Sequence, residues 1–211
     1  MKKINIGLIF IVLLSFGLSF YFYSQLPDRV ASHWNAQGEV DGFMPKFWGL
    51  FLMPLLLLGL LAMFLVIPRI DPLRANIEKF RYYFDLFILF LLSFLLYLQI
   101  LIVVWNLGFE FNMTYLLIPA FALLFYYIGI LMEKAKRNWF IGVRTPWTLS
   151  SDRVWNKTHK LGSKLFKLAA IISVFGMLFE QYVIYFIIIP VITFSFYSMA
   201  YSYFEFKKEN K

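Results

Sequence analysis

The 211-residue chain contains no cysteine, and Asp, Glu, Lys and Arg make up only 15% of it. The absence of cysteine excludes disulfides, thiolate metal sites and cysteine nucleophiles. A soluble domain has about 25% charged and about half apolar residues, whereas this chain is 61% apolar and contains 26 Phe. No long polar segment separates the apolar ones from a second region, so the composition predicts one membrane-embedded domain over residues 1–211.

Six segments qualify as helices that cross a bilayer core, which takes roughly 20 mostly apolar residues. The fifth is the shortest, and its sequence leaves open an earlier start inside the polar stretch before it. We therefore expect an all-α, polytopic bundle with transmembrane helices at residues 4–23, 47–67, 84–105, 115–132, 165–179 and 182–203. The first apolar run is longer than a typical signal-peptide core and lacks a small-residue cleavage site, so we interpret it as a retained anchor. Only Glu180 and Gln181 separate the last two segments, which predicts a tight hairpin.

Lys and Arg residues collect on one side of this predicted topology. Of the 20, only Arg29 and Lys46 fall on the side opposite the N-terminus. Because cytoplasmic loops are enriched in Lys and Arg, both termini are predicted to be cytoplasmic. The net charge of +8 then reflects a basic collar that faces anionic membrane lipid, and direct nucleic-acid binding is not indicated.

The outer loop, residues 25–46, has features of a structured cap. Pro27 should end the first helix, because proline disfavours helical geometry in the residue before it. Gly38 and Gly42 suit tight turns that need positive φ. His33 and the nearby acidic residues match no known metal-binding spacing, so neither a metal site nor a cofactor is predicted.

The inner loop, residues 133–164, combines a proline turn with an amphipathic segment. Pro146 pushes Thr145 toward extended geometry. Beyond the turn, apolar and basic residues recur at helical spacing, which predicts an amphipathic helix in the inner membrane interface, leading into the fifth membrane helix through a bend at Gly162. Arg144 either pins the loop through backbone carbonyls or presents its guanidinium to a partner, and the sequence leaves both alternatives open.

Both loops resemble segments of the SdpI family of bacterial membrane immunity proteins. The inner resemblance is carried by Gly142, Arg144, Thr145, Pro146, Trp147 and Trp155. The outer resemblance, to an uncharacterised N-terminal module common in that family, is carried by Pro27, His33, Trp34, Asn35, Gly38, Asp41 and Gly42. These residues are candidate partner-binding positions, and the resemblance assigns no individual role to any of them.

The resemblance implies a multi-pass protein of the cell membrane with an immunity function. The type member protects its cell from a secreted, membrane-active peptide toxin, and it holds a small helix-turn-helix repressor at the membrane when the toxin is present. We therefore expect a toxin peptide as the outer partner and such a repressor as the cytoplasmic partner.

Two other function classes fit the residues less well. An enzyme is not indicated, because the two histidines fall on opposite sides of the predicted membrane and no pair of acids lies inside the apolar segments. A small-solute transporter is the alternative, since Pro54, Pro119 and Pro190 can break helices around a pathway. However, the helix centres contain no charged residue of the kind that ion and proton relays use, and proline is common in membrane helices.

Overall fold

The computed structural model describes residues 2–179 and 182–209, with side chains from residue 4 onward. The helices are α1 (Lys2–Phe22), α2 (Lys46–Ile70), α3 (Arg74–Glu78), α4 (Arg81–Asn106), α5 (Met113–Lys134), α6 (Pro146–Ser150), α7 (Asp152–Phe175) and α8 (Val183–Glu209). Between α1 and α2, strands β1 (Arg29–Trp34) and β2 (Val40–Pro45) pair antiparallel. Within the described ranges, six helices are long and apolar enough to cross a membrane, which confirms the predicted all-α bundle. The hairpin predicted at residues 180–181 lies outside the described residues.

The six long helices form two groups of three. Helices α1, α2 and α4 pack together, α5, α7 and α8 pack together, and contacts between α4 and α5 join the groups. Successive long helices alternate in direction. The bundle therefore has a hairpin end, which carries β1 and β2, and a motif end, which carries both ends of the described chain and residues 135–151.

Polar and small residues bring the helices together inside each group. Between α1 and α4, Nε2 of the buried Gln99 donates to the backbone oxygen of Ser15 (3.0 Å) and to Oγ of Ser19 (2.9 Å). Between α5 and α7, a Cβ on Gly129 would lie 2.8 Å from the backbone oxygen of Ser163. Close approach and buried hydrogen bonds are the means by which helices associate in lipid, where apolar contact alone gives no preference for a protein neighbour.

The fifth membrane helix begins earlier than the sequence predicts. Residues Asp152–Phe175 form a single helix, so the boundary predicted at residue 165 is wrong, and the predicted amphipathic segment is the first half of this same helix. The first half of α7 packs on α8, where Lys157 forms an ion pair with Glu205. Nζ of Lys157 lies 2.5 Å from Oε2 of the buried Glu205.

The helices continue through Gly162, predicted as a bend, and through the three prolines considered as breaks under the transporter alternative. Helix α7 runs through Gly162, where a Cβ would overlap the end of Met132, so this glycine provides close packing between α5 and α7 and does not end a helix. Pro54, Pro119 and Pro190 also lie inside continuous helices.

Candidate functional site

The outer loop forms a β-hairpin whose turn is organised by Asn35. Its Oδ1 accepts hydrogen bonds from the backbone N–H groups of Gln37 and Glu39, each at 3.0 Å. Gly38 has a φ of +82°, and a Cβ there would overlap the side chain of Asn112, so both the conformation and the space require glycine. The sequence indicated the turn but not the two strands.

Two contacts fix the hairpin to α4. Asn106 pairs with Ala31: Oδ1 accepts from the Ala31 N–H (2.7 Å) and Nδ2 donates to its carbonyl (3.0 Å). The indole of Trp34 packs edge-on against Trp105, with ring centroids 5.7 Å apart. The hairpin is therefore a cap attached to the bundle.

The other outer candidates lie on the exposed side of this cap. Nδ1 of His33 lies 2.5 Å from Oδ1 of Asp41 on the opposite strand. Gly42 faces His33, and a Cβ at residue 42 would lie only 2.9 Å from the His33 Cβ. Pro27 is exposed just before β1. Among the described residues, no three His, Cys, Asp or Glu side chains are grouped closely enough to hold a metal ion.

The inner motif begins with a turn held by two buried polar side chains. Oδ1 of Asn138 accepts from the N–H groups of Phe140 (2.9 Å) and Ile141 (2.6 Å). Asp71, directly after α2, accepts at Oδ2 from the N–H of Trp139 (2.9 Å). Asp71 therefore ties the end of α2 to the motif. Sequence reasoning selected neither residue for the site, because short polar residues near a loop carry no signal of a distant partner.

Gly142 lies against the ring of the buried His159. Its φ is +104°, and a Cβ would overlap Nε2 of that ring. The N–H of Val143 donates to Nε2 (3.1 Å), while Nδ1 is 2.9 Å from the carbonyl oxygen of Trp155, so the imidazole is neutral with its proton on Nδ1. Trp155 stacks on this ring at 3.9 Å and donates from Nε1 to the carbonyl of Ala135 (2.9 Å). The stacked rings of Trp155 and His159 therefore pack directly against the motif at Gly142.

Thr145 and Pro146 start the short helix α6. Oγ1 of Thr145 accepts from the Thr148 N–H (3.2 Å), and Oγ1 of Thr148 accepts from the Thr145 N–H (2.9 Å), which forms a capping box. Pro146 occupies the first turn, where no N–H is needed. Trp147 packs edge-on against Tyr203 of α8, with centroids 5.1 Å apart. Thr145, Pro146 and Trp147 therefore all contribute to the shape of the loop.

Arg144 differs from its neighbours because its side chain is exposed. Nη1 donates to the carbonyl of Trp139 (3.1 Å), and among the described residues no carboxylate forms an ion pair with it. Arg144 therefore pins the loop through one carbonyl and still presents the rest of its guanidinium outward. The structure therefore shows the first of the two alternatives, the bond to a backbone carbonyl, and the role of Arg144 toward a partner stays a prediction.

Residues 140–145 of the motif line a cavity of about 660 Å³. The cavity lies between the two helix groups, and five helices contribute to its walls. One apolar residue from each of α2, α4, α5, α7 and α8 illustrates this: Met63, Phe87, Ile128, Phe166 and Met199. The motif thus sits where the two groups meet.

Comparison with known proteins gives two partial matches and one full-length match. Residues 10–58 match the family model of a domain of unknown function (DUF1648), and residues 134–202 match that of the SdpI/YfhL protein family. The chain is 29% identical over 211 residues to Immunity protein SdpI of Bacillus subtilis (strain 168), covering 100% of this chain and 99% of the relative. No solved structure matches the chain.

The two family models coincide with the two loops described above. The first covers α1 from residue 10, the hairpin and half of α2, and the second runs from the end of α5 through the motif into α8. With six apolar helices and an immunity protein as a relative, the chain is a multi-pass protein of the cell membrane. The similarity also supports a membrane immunity protein over an enzyme. These matches confirm the resemblance of this chain to the SdpI family that the inner and outer motifs predict.

Proposed function

We propose that this protein protects its cell from a secreted, membrane-active peptide and holds a small helix-turn-helix repressor at the membrane when the peptide is present. The observation that carries the proposal is the path of α2. Strand β2 ends at Pro45, α2 begins at Lys46, and Asp71 after α2 binds the inner motif. One helix of 25 residues, about 37 Å long at 1.5 Å per residue, therefore connects the hairpin directly to the motif.

In this proposal the hairpin end faces the outside and the motif end faces the cytoplasm. The distribution of Lys and Arg supports that orientation. An amphipathic peptide arriving from outside would first meet the hairpin and the aromatic residues at its base. Phe43, Phe47 and Trp48 are each about half exposed there and offer apolar contacts at the membrane surface.

The cytoplasmic partner would dock on Arg144 and on the exposed cations of α7. Those exposed cations are Arg153, Lys160 and Lys164. Lys157 and Lys167 contribute less, because they pair with Glu205 and Glu133. An acidic surface on the repressor would complement this face.

Membrane potential tests the protective part of the proposal. A sensitive bacterium expressing the protein is exposed to an amphipathic killing peptide and followed with a voltage-sensitive dye. We expect the potential to survive peptide doses that depolarise cells with an empty vector. Asn106→Ala removes the hydrogen bonds between α4 and Ala31 of the hairpin. It should lower the highest peptide dose at which the membrane potential is retained. Depolarisation by every peptide tested, at the dose that affects empty-vector cells, would refute protection.

Arg144→Ala tests the signalling part. It should reduce the membrane-bound fraction of a fluorescent repressor more than it reduces protection, because Arg144 lies at the motif end. Arg74→Ala is the matched control, since Arg74 is also exposed at the motif end but lies outside the motif. Equal loss of retention and protection in Arg144→Ala would contradict this division.

The cavity between the helix groups is the one observation that favours a transporter. Of the described residues that line it, Arg144 alone is charged, and it lies in the motif at the end of the bundle. Coupled transporters place ionisable groups near the membrane centre. Solute uptake into liposomes containing the purified protein would favour transport over the proposed immunity function.

A further inference from the structure

The cavity under the motif lies within the membrane-spanning part of the bundle and is partly open. Its walls are mainly apolar, and the helix positions place it in the leaflet next to the motif end. An apolar space of about 660 Å³ is within the range of about 300–1,000 Å³ typical of ligand sites. Left empty, it would deprive its lining of dispersion contacts, so in a bilayer it will be filled by apolar groups.

The rim of the cavity carries positive charge, in contrast to its apolar walls. Arg144 lines it with an exposed guanidinium whose one hydrogen bond, among the described residues, goes to the carbonyl of Trp139. Lys134 and Lys136 flank the cavity-lining Ala135, and both are exposed. A guanidinium binds phosphate well because its planar donors match the phosphate oxygens.

We propose that the cavity binds an acyl chain of an anionic phospholipid from the leaflet at the motif end, with the head-group phosphate at Arg144. A neutral apolar occupant would leave the guanidinium of Arg144 without an anionic partner, and a small polar solute would leave the apolar walls uncovered. An anionic phospholipid has an acyl chain that can cover the apolar walls and a phosphate that can bind the cation at the rim, at the membrane depth where the two meet. This inference does not depend on toxin protection.

The bound lipid would hold the motif between the two helix groups. Because residues 140–145 line the cavity, filling it would fix the position of the loop that presents Arg144. A head group at Arg144 would also share that side chain with the proposed repressor. Ser195→Phe separates the two proposals, since Ser195 lines the cavity on α8 and its replacement fills the space while keeping Arg144.

The experiment measures which lipids stay with the full-length protein. The protein is reconstituted into equal amounts of phosphatidylglycerol and phosphatidylcholine and re-extracted in mild detergent, and retained lipids are quantified by mass spectrometry. Wild type should retain phosphatidylglycerol preferentially. Arg144→Gln should lower that preference about five-fold, which corresponds to about 1 kcal/mol for one cation near anionic head groups. Ser195→Phe should lower the total retained lipid by about half or more.

Matched controls carry the same chemical changes away from the cavity. Arg74→Gln removes an exposed arginine at the same end, and Ser93→Phe adds a ring on the exposed side of α4. Both should retain lipid as wild type does. Ser195→Leu, with a smaller side chain, replaces Ser195→Phe if that variant is not monodisperse in detergent.

Three results would overturn the proposal. The first is unchanged lipid retention in both monodisperse Ser195 variants, and the second is an unchanged lipid preference in Arg144→Gln. The third is a change in oligomer size or peptide binding in Ser195→Phe with lipid retention unchanged. That result would assign the cavity to a second copy or to the toxin peptide.

Discussion

Gly142 meets two requirements at once, a backbone conformation and a close contact. Its φ of +104° is unfavourable for residues with a side chain, and the ring of His159 occupies the position that a Cβ would take. The His159 ring cannot move aside freely, because it is buried under the stacked Trp155 and accepts the N–H of Val143.

Gly142→Ala should therefore destabilise the motif end by about 2 kcal/mol or more, from backbone strain and overpacking together. Thermal unfolding of the protein in detergent should show a lowered midpoint. Gly59→Ala on α2 is the matched control, because Gly59 is helical and no atom lies within 4 Å of its added Cβ. That control should be neutral or slightly stabilising. Equal midpoints for the two variants would show that the contact with His159 is not limiting.

Sequence reasoning could select the residues of the motif but could not assign the structural role of each. Gly142 and Trp155 were found through the resemblance, yet their roles depend on His159, which was noted only as a histidine of the inner side. Asn138 and Asp71 were missed for the same reason, since each acts through backbone groups brought to it by the fold. For Arg144 the predicted contact with a backbone carbonyl is confirmed by its bond to Trp139, while its role toward a partner stays a prediction.

The hydrogen bond between Asp71 and the N–H of Trp139 links the end of α2 to the inner motif. In Asp71→Asn one oxygen remains to accept the N–H of Leu73, and the amide NH2 would then face the N–H of Trp139. We expect faster hydrogen exchange at residues 136–145, corresponding to about 1–3 kcal/mol of lost local stability, with the hairpin unaffected. Asp152→Asn, which weakens an exposed pair with Arg137, should change much less. Exchange that rises equally in both variants would contradict the specific role of Asp71.

Helices α5 and α7 approach each other at Gly129. A side chain there would meet the backbone oxygen of Ser163 at 2.8 Å, and backbone cannot rotate away as a flexible side chain can. Gly129→Leu should therefore separate the two helices and lower stability by about 1–3 kcal/mol, measured as the unfolding midpoint in detergent. Gly17→Leu is the control, because Gly17 on α1 has open space around it. A similar midpoint for both leucine variants would argue against tight packing of α5 on α7.

At the scale of elements, the sequence predicted the six membrane helices but missed the two hairpin strands and misplaced the start of α7. Five of the six apolar runs have the length that a bilayer requires, and the fifth reaches it once its polar first half is included, so six helices could be predicted from the sequence. The strands of the hairpin are short, and contacts with Asn106 and Trp105 on α4 support them. The start of α7 was misplaced because Lys157 looks too polar for a spanning helix until Glu205 is seen beside it.

The whole molecule consists of two helix groups with the inner motif and a cavity at their junction. The packing order of the helices was beyond sequence reasoning, because several are apolar on all sides and lipid-facing residues resemble buried ones. Phe196 is 66% exposed and Phe84 is fully buried, yet both stand in similar apolar runs. Charge is different: its location along the chain gives an orientation without any knowledge of packing.

The predicted orientation can be tested by labelling single introduced cysteines, because the chain contains no native cysteine. Gln37→Cys at the hairpin end and Lys160→Cys at the motif end place single thiols on exposed residues. In intact cells, a membrane-impermeant maleimide should label Gln37→Cys and leave Lys160→Cys unlabelled until the membrane is permeabilised. The cysteine-free parent is the control for background labelling. Labelling of Lys160→Cys in intact cells would invert the protein and place the proposed repressor surface outside, where no cytoplasmic partner could reach it.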